Sequence, residues 1–307
     1  MPELPEVEII RCGLQPVMEG AVIKSITVNR PALRYPFPAN FQARLQEQKL
    51  VRLKRRAKFL NACLSSGERL LMHLGMSGRF TVAGSRAVGN FAQGHGGDPK
   101  HDHVIFHMDN GATVTFNDMR RFGFMELIAP GEPSRLDILG PEPLDPHFNA
   151  EVLRAALQRK KTTIKSALLD QHVIAGLGNI YVCEALYRAG IFPGCLAASL
   201  SGDQTEALTD RIRVVLREAI GAGGASLRDF ANTEGLPGYF QHSFDVYDRE
   251  GQPCKNCDTL IERFRQAGRS TFYCPSCQQE QGRNSTLAIP RPNPLTSRPD
   301  GKGFYVQ

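Results

Sequence analysis

Residues 101–128 read HDHVIFHMDNGATVTFNDMRRFGFMELI. Val104, Phe106 and Met108 alternate with Ile105 and His107, and Ala112, Val114 and Phe116 alternate with Thr113 and Thr115. A period of two is the signature of a strand with one face buried. Asp109-Asn110-Gly111 between the two runs predicts a tight hairpin turn. The pattern extends upstream through AVIKSITVNR (21–30) and RLLMHLGMSGRFTVAG (69–84), so short alternating runs fill about 21 to 128. Several strands joined this way imply an antiparallel sandwich or barrel.

The pattern changes on both sides of this block. Residues 5–19 predict a helix, with Pro5 at its first position, Val7, Ile10, Leu14 and Val17 on one face, and Gly20 at its end. Pro16 shortens its last turn, and Glu6 and Glu8 suit the positive end of its dipole. Residues 84–99 are Gly-rich and predict a mobile loop. Five prolines within 130–148 mark a linker. From residue 150 the period becomes helical, over 150–160, 163–171 and about 203–220, where Leu208, Ile212, Val215 and Ala219 share a face. Gly221, Gly223 and Gly224 stop that last helix. Residues 282–307 hold four prolines and a charge of +3, and read as a disordered basic tail. The expected organisation is a β-sandwich over 1–130, a linker over 131–149, a helical domain over 150–240, a metal finger over 241–279 and a tail over 280–307.

The 307 residues are 41% hydrophobic and 22% charged, which excludes wholesale disorder. No apolar run is long enough to span a membrane, and the acidic start MPELPEVEII lacks the bases of a signal peptide. The net charge is +6, and Lys49, Arg52, Lys54, Arg55, Arg56 and Lys58 form a basic window with no acid in it. Such a window suits a polyanion, because each phosphate contact releases counterions; a solvated basic face or a localisation signal has the same composition. Cys12, Cys63, Cys183 and Cys195 follow no pattern and read as small buried hydrophobes. Cys254-x2-Cys257-x16-Cys274-x2-Cys277 predicts one zinc ion. Four thiolates close its tetrahedron, so the zinc is expected to be structural, and two disulfides are the alternative. Arg263, Arg265 and Arg269 lie inside this finger and again point to phosphate. His101 and His103 suggest a metal pair, but no third ligand is evident nearby. Gly176-x-Gly178 lacks the third glycine and the βαβ frame of a dinucleotide site.

The N-terminus carries chemistry of its own. Removal of Met1 before the small Pro2 exposes a secondary amine. Attack of that amine on a sugar carbon gives an iminium ion, an electron sink that acidifies the neighbouring proton and permits loss of a phosphate. Glu3 beside it is placed to move protons, and Glu6 stands one helical turn away.

The octet Pro2-Glu3-Leu4-Pro5-Glu6-Val7-Glu8-Ile9 closely resembles the start of the formamidopyrimidine-DNA glycosylase family, whose bacterial members remove oxidised purines such as 8-oxoguanine. Six further stretches match in order: Arg55–Phe59, His73–Gly78, Lys100–His103, Arg120–Gly123, Gly176–Tyr181, and the four-cysteine finger with Gly268–Cys274. The resemblance runs from residue 2 to about 279. It implies an α+β protein, with an N-terminal antiparallel β-sandwich and flanking helices, a helix–two-turn–helix domain and a zinc-finger β-hairpin. It further implies base excision repair by a bifunctional glycosylase and abasic-site lyase that cleaves by β,δ-elimination.

The resemblance also assigns residues. Pro2 is the nucleophile that forms a Schiff base with C1′, Glu3 the proton donor, and Glu6 its support. Lys58 serves β-elimination and Arg269 serves δ-elimination. His101, Arg120, Lys161, Lys165, Asn179 and Tyr239 contact DNA, and Met76, Arg120 and Phe122 fill the void left by the flipped nucleotide. The loop Gly223–Asp229 closes over that base. The implied cofactor is one structural zinc and the implied partner is double-stranded DNA with damaged bases. The chain is expected to work as a monomer, with no membrane, in the bacterial cytoplasm at the nucleoid. Two departures from the family are a long 84–99 loop and a 30-residue tail after Cys277. An endonuclease VIII-like enzyme for oxidised pyrimidines, a non-catalytic zinc DNA-binding protein and a zinc hydrolase are the alternatives. The closed thiolate site opposes the hydrolase, and a pure binder needs no processed amine.

Overall fold

The computed structural model of the chain describes residues 2–84, 97–226 and 230–280. The interior of the expected 84–99 loop, residues 227–229 of the loop over the base, and the tail from 281 lie outside the described residues. The chain opens with helix α1 (Leu4–Met18), which starts one residue before Pro5 and buries Val7, Ile10, Leu14 and Val17 as the spacing predicts. Eight strands follow: β1 (Ile23–Val28), β2 (Leu50–Arg56), β3 (Phe59–Leu64), β4 (Arg69–His73), β5 (Arg79–Ala83), β6 (Asp102–Met108), β7 (Thr113–Asn117) and β8 (Phe124–Ile128). A short helix, α2 (Phe41–Leu45), too brief to show a period, sits between β1 and β2.

The strands form two four-stranded sheets, in the orders β1-β6-β7-β5 and β2-β3-β4-β8. Every pairing in them is antiparallel. The hairpin expected at Asp109-Asn110-Gly111 joins β6 to β7, with Gly111 at φ 84° and the Asn110 Oδ1 accepting from Ala112 N at 3.0 Å. Leu53, Leu60, Ala62 and Met72 from one sheet share a core with Val104, Phe106, Val114 and Phe116 from the other, and α1 adds Ile10, Leu14 and Val17. Each of these side chains other than Ala62 contributes about 1.5–3 kcal/mol by leaving water.

The helical domain consists of α3 (Ala150–Leu157), α4 (Ile164–Leu169), α5 (Asn179–Arg188) and α6 (Gly202–Gly221). Side-chain oxygens of Asn149, Thr163 and Ser201 cap α3, α4 and α6. Leu208, Ile212, Val215 and Ala219 of α6 are buried. The proline-rich stretch before α3 is packed down. Phe148 is in the helical core, and Glu142 accepts from Arg55 at 2.8 Å, from Arg56 at 2.9 Å and from the backbone N–H of Ala57. The finger is an antiparallel hairpin of β9 (Glu262–Gln266) and β10 (Arg269–Tyr273), turned through Ala267 and Gly268 at φ 47° and 75°. Of the four scattered cysteines, Cys183 is buried, Cys63 and Cys195 are half-buried, and Cys12 is exposed against expectation, at a solvent-facing position of α1.

The start of α1 helps join the two main domains. Leu4, at the start of α1, belongs to the helical core, while the rest of the apolar face of α1 belongs to the sandwich core. Its N–H donates to Gly176 O at 3.1 Å. The N-terminus is thereby fixed at the domain junction.

Candidate active site and nucleic-acid face

Glu3 lies where α1 begins and faces the first turn of α5. Its Oε1 accepts the Ile180 N–H at 3.1 Å, and its Oε2 is buried without a hydrogen-bond partner. The glycines of Gly176-Leu177-Gly178 make room for this docking. A Cβ on Gly178 would lie 2.2 Å from the Glu3 carboxyl carbon, and one on Gly176 would lie 2.6 Å from Leu4 Cδ1. Burial raises the Glu3 carboxyl above its usual range, Lys58 opposes that shift and Glu6 adds to it. Pro2, immediately before it, is buried.

Glu6 ties three segments together. Its Oε2 accepts the Glu3 N–H at 2.9 Å, and its Oε1 accepts the Tyr181 hydroxyl at 2.5 Å and the Ala225 N–H at 2.9 Å. Ala225 lies in the loop expected to cover the base, so that loop and the N-terminus share one carboxylate. Burial and Glu6 keep the Tyr181 phenol firmly protonated. Tyr181 stands inside a motif that the sequence singles out, yet nothing in the sequence reveals this contact.

Lys58 occupies the tight turn between β2 and β3, after Ala57 at φ 53°. Its ammonium is pushed down by burial; Glu3 works against that and Arg269 works with it. Arg269, at the start of β10, is exposed. Lys58, from the sandwich, thus lies within electrostatic reach of both Glu3 at the N-terminus and Arg269 of the finger.

A second cluster lies on the surface. Met76 is 37% exposed and Phe122 is 41% exposed, and the Arg120 guanidinium stands 5.0 Å over the Phe122 ring. Both apolar side chains stand out from loops between strands, and this exposure suits insertion into a duplex. His73 supports the loop below Met76: its Nδ1 accepts the Gly75 N–H at 3.0 Å, and its ring stacks on Phe124 at 5.2 Å. Burial, reinforced by Lys58, lowers His73 to about 4, so it is neutral. Gly75, at φ 63°, is obligatory, since its Cβ would lie 2.3 Å from Gly123 N.

The remaining expected contacts divide. Lys161 and Tyr239 are exposed, and His101 is half-exposed in a short turn (Pro99–His101) ahead of β6. Lys165 requires correction. It is fully buried, and its Nζ donates to Ser270 O at 2.7 Å and to Thr271 Oγ1 at 2.8 Å, so it grips the finger instead of a phosphate. Burial lowers its ammonium, with Cys183 opposing and Arg269 adding to the effect. Asn179 is engaged in the same way, its Nδ2 donating to Ser270 O at 2.9 Å, while Glu3 already takes the Ile180 N–H that a phosphate at this helix start would use. The basic window also divides. Arg55 is paired with Glu8 and Glu142, and Arg56 with Glu142, while Lys49, Arg52 and Lys54 are exposed.

The Cys254, Cys257, Cys274 and Cys277 sulfurs lie within 4.8 Å of one another, and among the described residues they are the group of three or more His, Cys, Asp and Glu side chains placed to hold a metal. Measured separations are 3.8 Å (Cys254–Cys277), 3.5 Å (Cys257–Cys274) and 3.5 Å (Cys257–Cys277). Four thiolates about 2.3 Å from a tetrahedral zinc are about 3.8 Å apart, so the set fits one ion with no open position. The Asn256 and Cys277 N–H groups approach Cys254 Sγ and Cys274 Sγ at 3.4 Å, as donors around zinc thiolates do. The zinc is structural. Among the described residues His101 and His103 join no such group.

Residues 1–125 match the formamidopyrimidine-DNA glycosylase N-terminal domain, residues 139–231 its H2TH domain, and residues 251–279 the zinc finger found in FPG and IleRS. A formamidopyrimidine-DNA glycosylase from Ruegeria pomeroyi is 56% identical over 284 residues, covering 91% of this chain and all of the relative. A Lactococcus lactis FPG mutant solved with Fapy-dG-containing DNA superposes with a TM-score of 0.79 at 33% identity, over 91% of this chain and all of that one. The Lactococcus lactis protein with abasic-site DNA gives 0.79 at 32% identity, with the same coverage. A MutM complex with DNA containing carbocyclic 8-oxo-G gives 0.78 at 33%, again over 91% of this chain and all of that one. With three of the family's domains matched in order and a relative 56% identical over its whole length, the chain belongs to the formamidopyrimidine-DNA glycosylase family.

Proposed function

We propose that this chain is the DNA glycosylase and abasic-site lyase that removes oxidised purines, 8-oxoguanine and formamidopyrimidines, in base excision repair. The observation that carries this is a buried Glu3 with an unpartnered carboxyl oxygen, next to a buried Pro2 and within electrostatic reach of buried Lys58, which in turn feels Arg269 of the finger. Relatives this similar, solved on Fapy-dG, 8-oxo-G and abasic-site DNA, supply the substrate class.

The proposed chemistry starts at the N-terminus. Freed of Met1, the Pro2 nitrogen attacks C1′ with its lone pair, the bond from C1′ to the base breaks with its electron pair going to the base, and the departing base takes up the proton that the Pro2 nitrogen sheds. Glu3, whose affinity for protons is raised by burial, delivers one from the unpartnered Oε2 to the sugar ring oxygen as the ring opens. The product is an iminium between Pro2 and C1′. Loss of a C2′ proton then pushes out the 3′ phosphate, with Lys58 at the damaged nucleotide's phosphate serving proton transfer; its lowered affinity lets it give and take a proton. Loss of a second sugar proton releases the 5′ phosphate, stabilised by the Arg269 fork. Glu6 holds the Glu3 N–H, and so orients the acid. His101, Arg120, Lys161 and Tyr239 line the DNA face, and Met76, Arg120 and Phe122 fill the vacated stack.

Among the described residues no helix is long and apolar enough to cross a membrane. The chain acts as a monomer on chromosomal DNA, in the cytoplasm and at the nucleoid. The test is excision from matched duplexes. Release of 8-oxoguanine opposite cytosine, leaving a gap with phosphates at both ends, is the expected result. Preference for an oxidised pyrimidine in the same context would transfer the chain to the endonuclease VIII branch.

A further inference from the structure

The loops that carry the exposed wedge have a common buried centre, Asp118, which has no solvent exposure. Its Oδ1 accepts the Ser77 hydroxyl at 2.6 Å and the Arg120 N–H at 3.3 Å, and its Oδ2 accepts the Gly123 N–H at 2.8 Å. Ser77 Oγ in turn accepts the Arg120 N–H at 3.1 Å. Ser77 follows Met76 in the chain, and Gly123 follows Phe122. One carboxylate therefore touches the residue next to each apolar wedge side chain, and the backbone of the cationic one.

The Asp118 main chain extends the knot. Its carbonyl accepts the Arg121 N–H at 3.3 Å and a ring N–H of buried His103, through Nε2, at 2.8 Å, and its N–H donates to His101 O at 3.0 Å. A carbonyl only accepts, so His103 carries a proton on Nε2; this is the role of the histidine that the KHDH motif leaves unassigned. Arg121 is held at φ 54°, a left-handed backbone that costs a non-glycine residue free energy and persists only where neighbours impose it. Loops made of Met119, Arg120 and Phe122, all exposed, have little apolar packing of their own, so these hydrogen bonds set their shape.

We propose that Asp118 is the positioning residue of the duplex wedge. It fixes Met76 on one loop relative to Arg120 and Phe122 on the other, and through them governs extrusion of the damaged nucleotide, without touching DNA or the reacting atoms. This rests on the reading of the chain as a glycosylase acting on duplex DNA.

Asp118→Asn is nearly isosteric. Its Oδ1 still accepts from Ser77 and Arg120, but its Nδ2 meets the Gly123 N–H donor against donor. The experiment uses full-length, zinc-loaded protein as wild type, Asp118→Asn, Ser77→Ala, Phe122→Ala and the Asp118→Asn/Phe122→Ala double variant. Two substrates are compared: an 8-oxoguanine:cytosine duplex, and a single strand with a preformed abasic site, which has no void to fill. Loss of one buried hydrogen-bond link predicts single-turnover excision from the duplex slowed about tenfold or more, with borohydride trapping on the single strand within about twofold of wild type. Fluorescence of a 2-aminopurine next to the lesion should show extrusion slowed to match. The double variant should be no more than about twofold slower than Phe122→Ala, because coupled residues are not additive. Ser77→Ala should repeat the pattern more weakly, and decides the matter if Asp118→Asn does not fold. Wild-type excision by both Asp118→Asn and Ser77→Ala, equal losses on both substrates, or multiplying effects in the double variant would overturn the proposal. A wild type that releases no oxidised purine would overturn the functional reading as well, and is separately visible.

Discussion

At the scale of single residues, the site is built around a carboxyl group that is expensive to ionise. Glu3 is buried, raised in pKa by that burial, and left with one unpartnered oxygen. Glu3→Gln retains an acceptor for the Ile180 N–H but carries no proton to give. It should slow 8-oxoguanine release by about 10²–10⁴-fold, as loss of a positioned general acid does, measured in single turnover. The linkage has a definite sign. A carboxyl whose folded pKa is raised favours folding when protonated, so its contribution is full below the unfolded value near 4.5 and is lost as pH rises through the raised value. Wild type should therefore gain stability relative to Glu3→Gln as pH falls through that window, in denaturant titrations at several pH values. Lysines teach a second lesson at this scale. Lys161 is exposed and Lys165 is buried under the finger, yet both look alike in a sequence. Lys161→Ala should reduce the salt dependence of duplex binding by about one counterion, whereas Lys165→Met should leave the slope unchanged and lower thermal stability.

At the scale of elements, the hairpin β9-β10 is too small to bury much apolar surface, so zinc supplies its folding free energy. Lys165 and Asn179 then clamp Ser270 O, the residue after Arg269, and so aim the guanidinium. Arg269→Ala should keep zinc, weaken duplex binding by about tenfold as a lost charge-assisted contact does, and suppress the second elimination. Cys254→Ser should lose zinc, hairpin and Arg269 function together; metal content, affinity and product analysis on the two proteins separate these outcomes. The strands and the finger were legible in the sequence because period-two alternation and cysteine spacing are local signals. Helix α5 was less so, because Gly176 and Gly178 serve the N-terminus that packs on them, a contact 175 residues away in the Glu6–Tyr181 bond. Glu142 and Asp118 were invisible for the same reason. Each looks like a loop acid, and each gains its role from donors brought by distant segments.

At the scale of the whole molecule, α1 is the part that makes two domains one enzyme. Leu4 is anchored in the helical core while Val7, Ile10 and Leu14 are anchored in the sandwich, and Pro2 and Glu3 hang at the crossing. Leu4→Ala removes a fully buried leucine at a cost of about 2–5 kcal/mol, and should loosen Pro2, the proposed nucleophile, as well as the fold, lowering excision more than binding in parallel assays. In the proposed reaction this N-terminus is itself the reagent. Borohydride reduction of the protein mixed with an 8-oxoguanine:cytosine duplex, followed by mass mapping of the trapped peptide, shows which amine reacts. The adduct should fall on the nitrogen of Pro2 in protein freed of Met1, and should vanish when one extra residue blocks that nitrogen. Undiminished trapping by the blocked protein, or an adduct on a lysine, would contradict it.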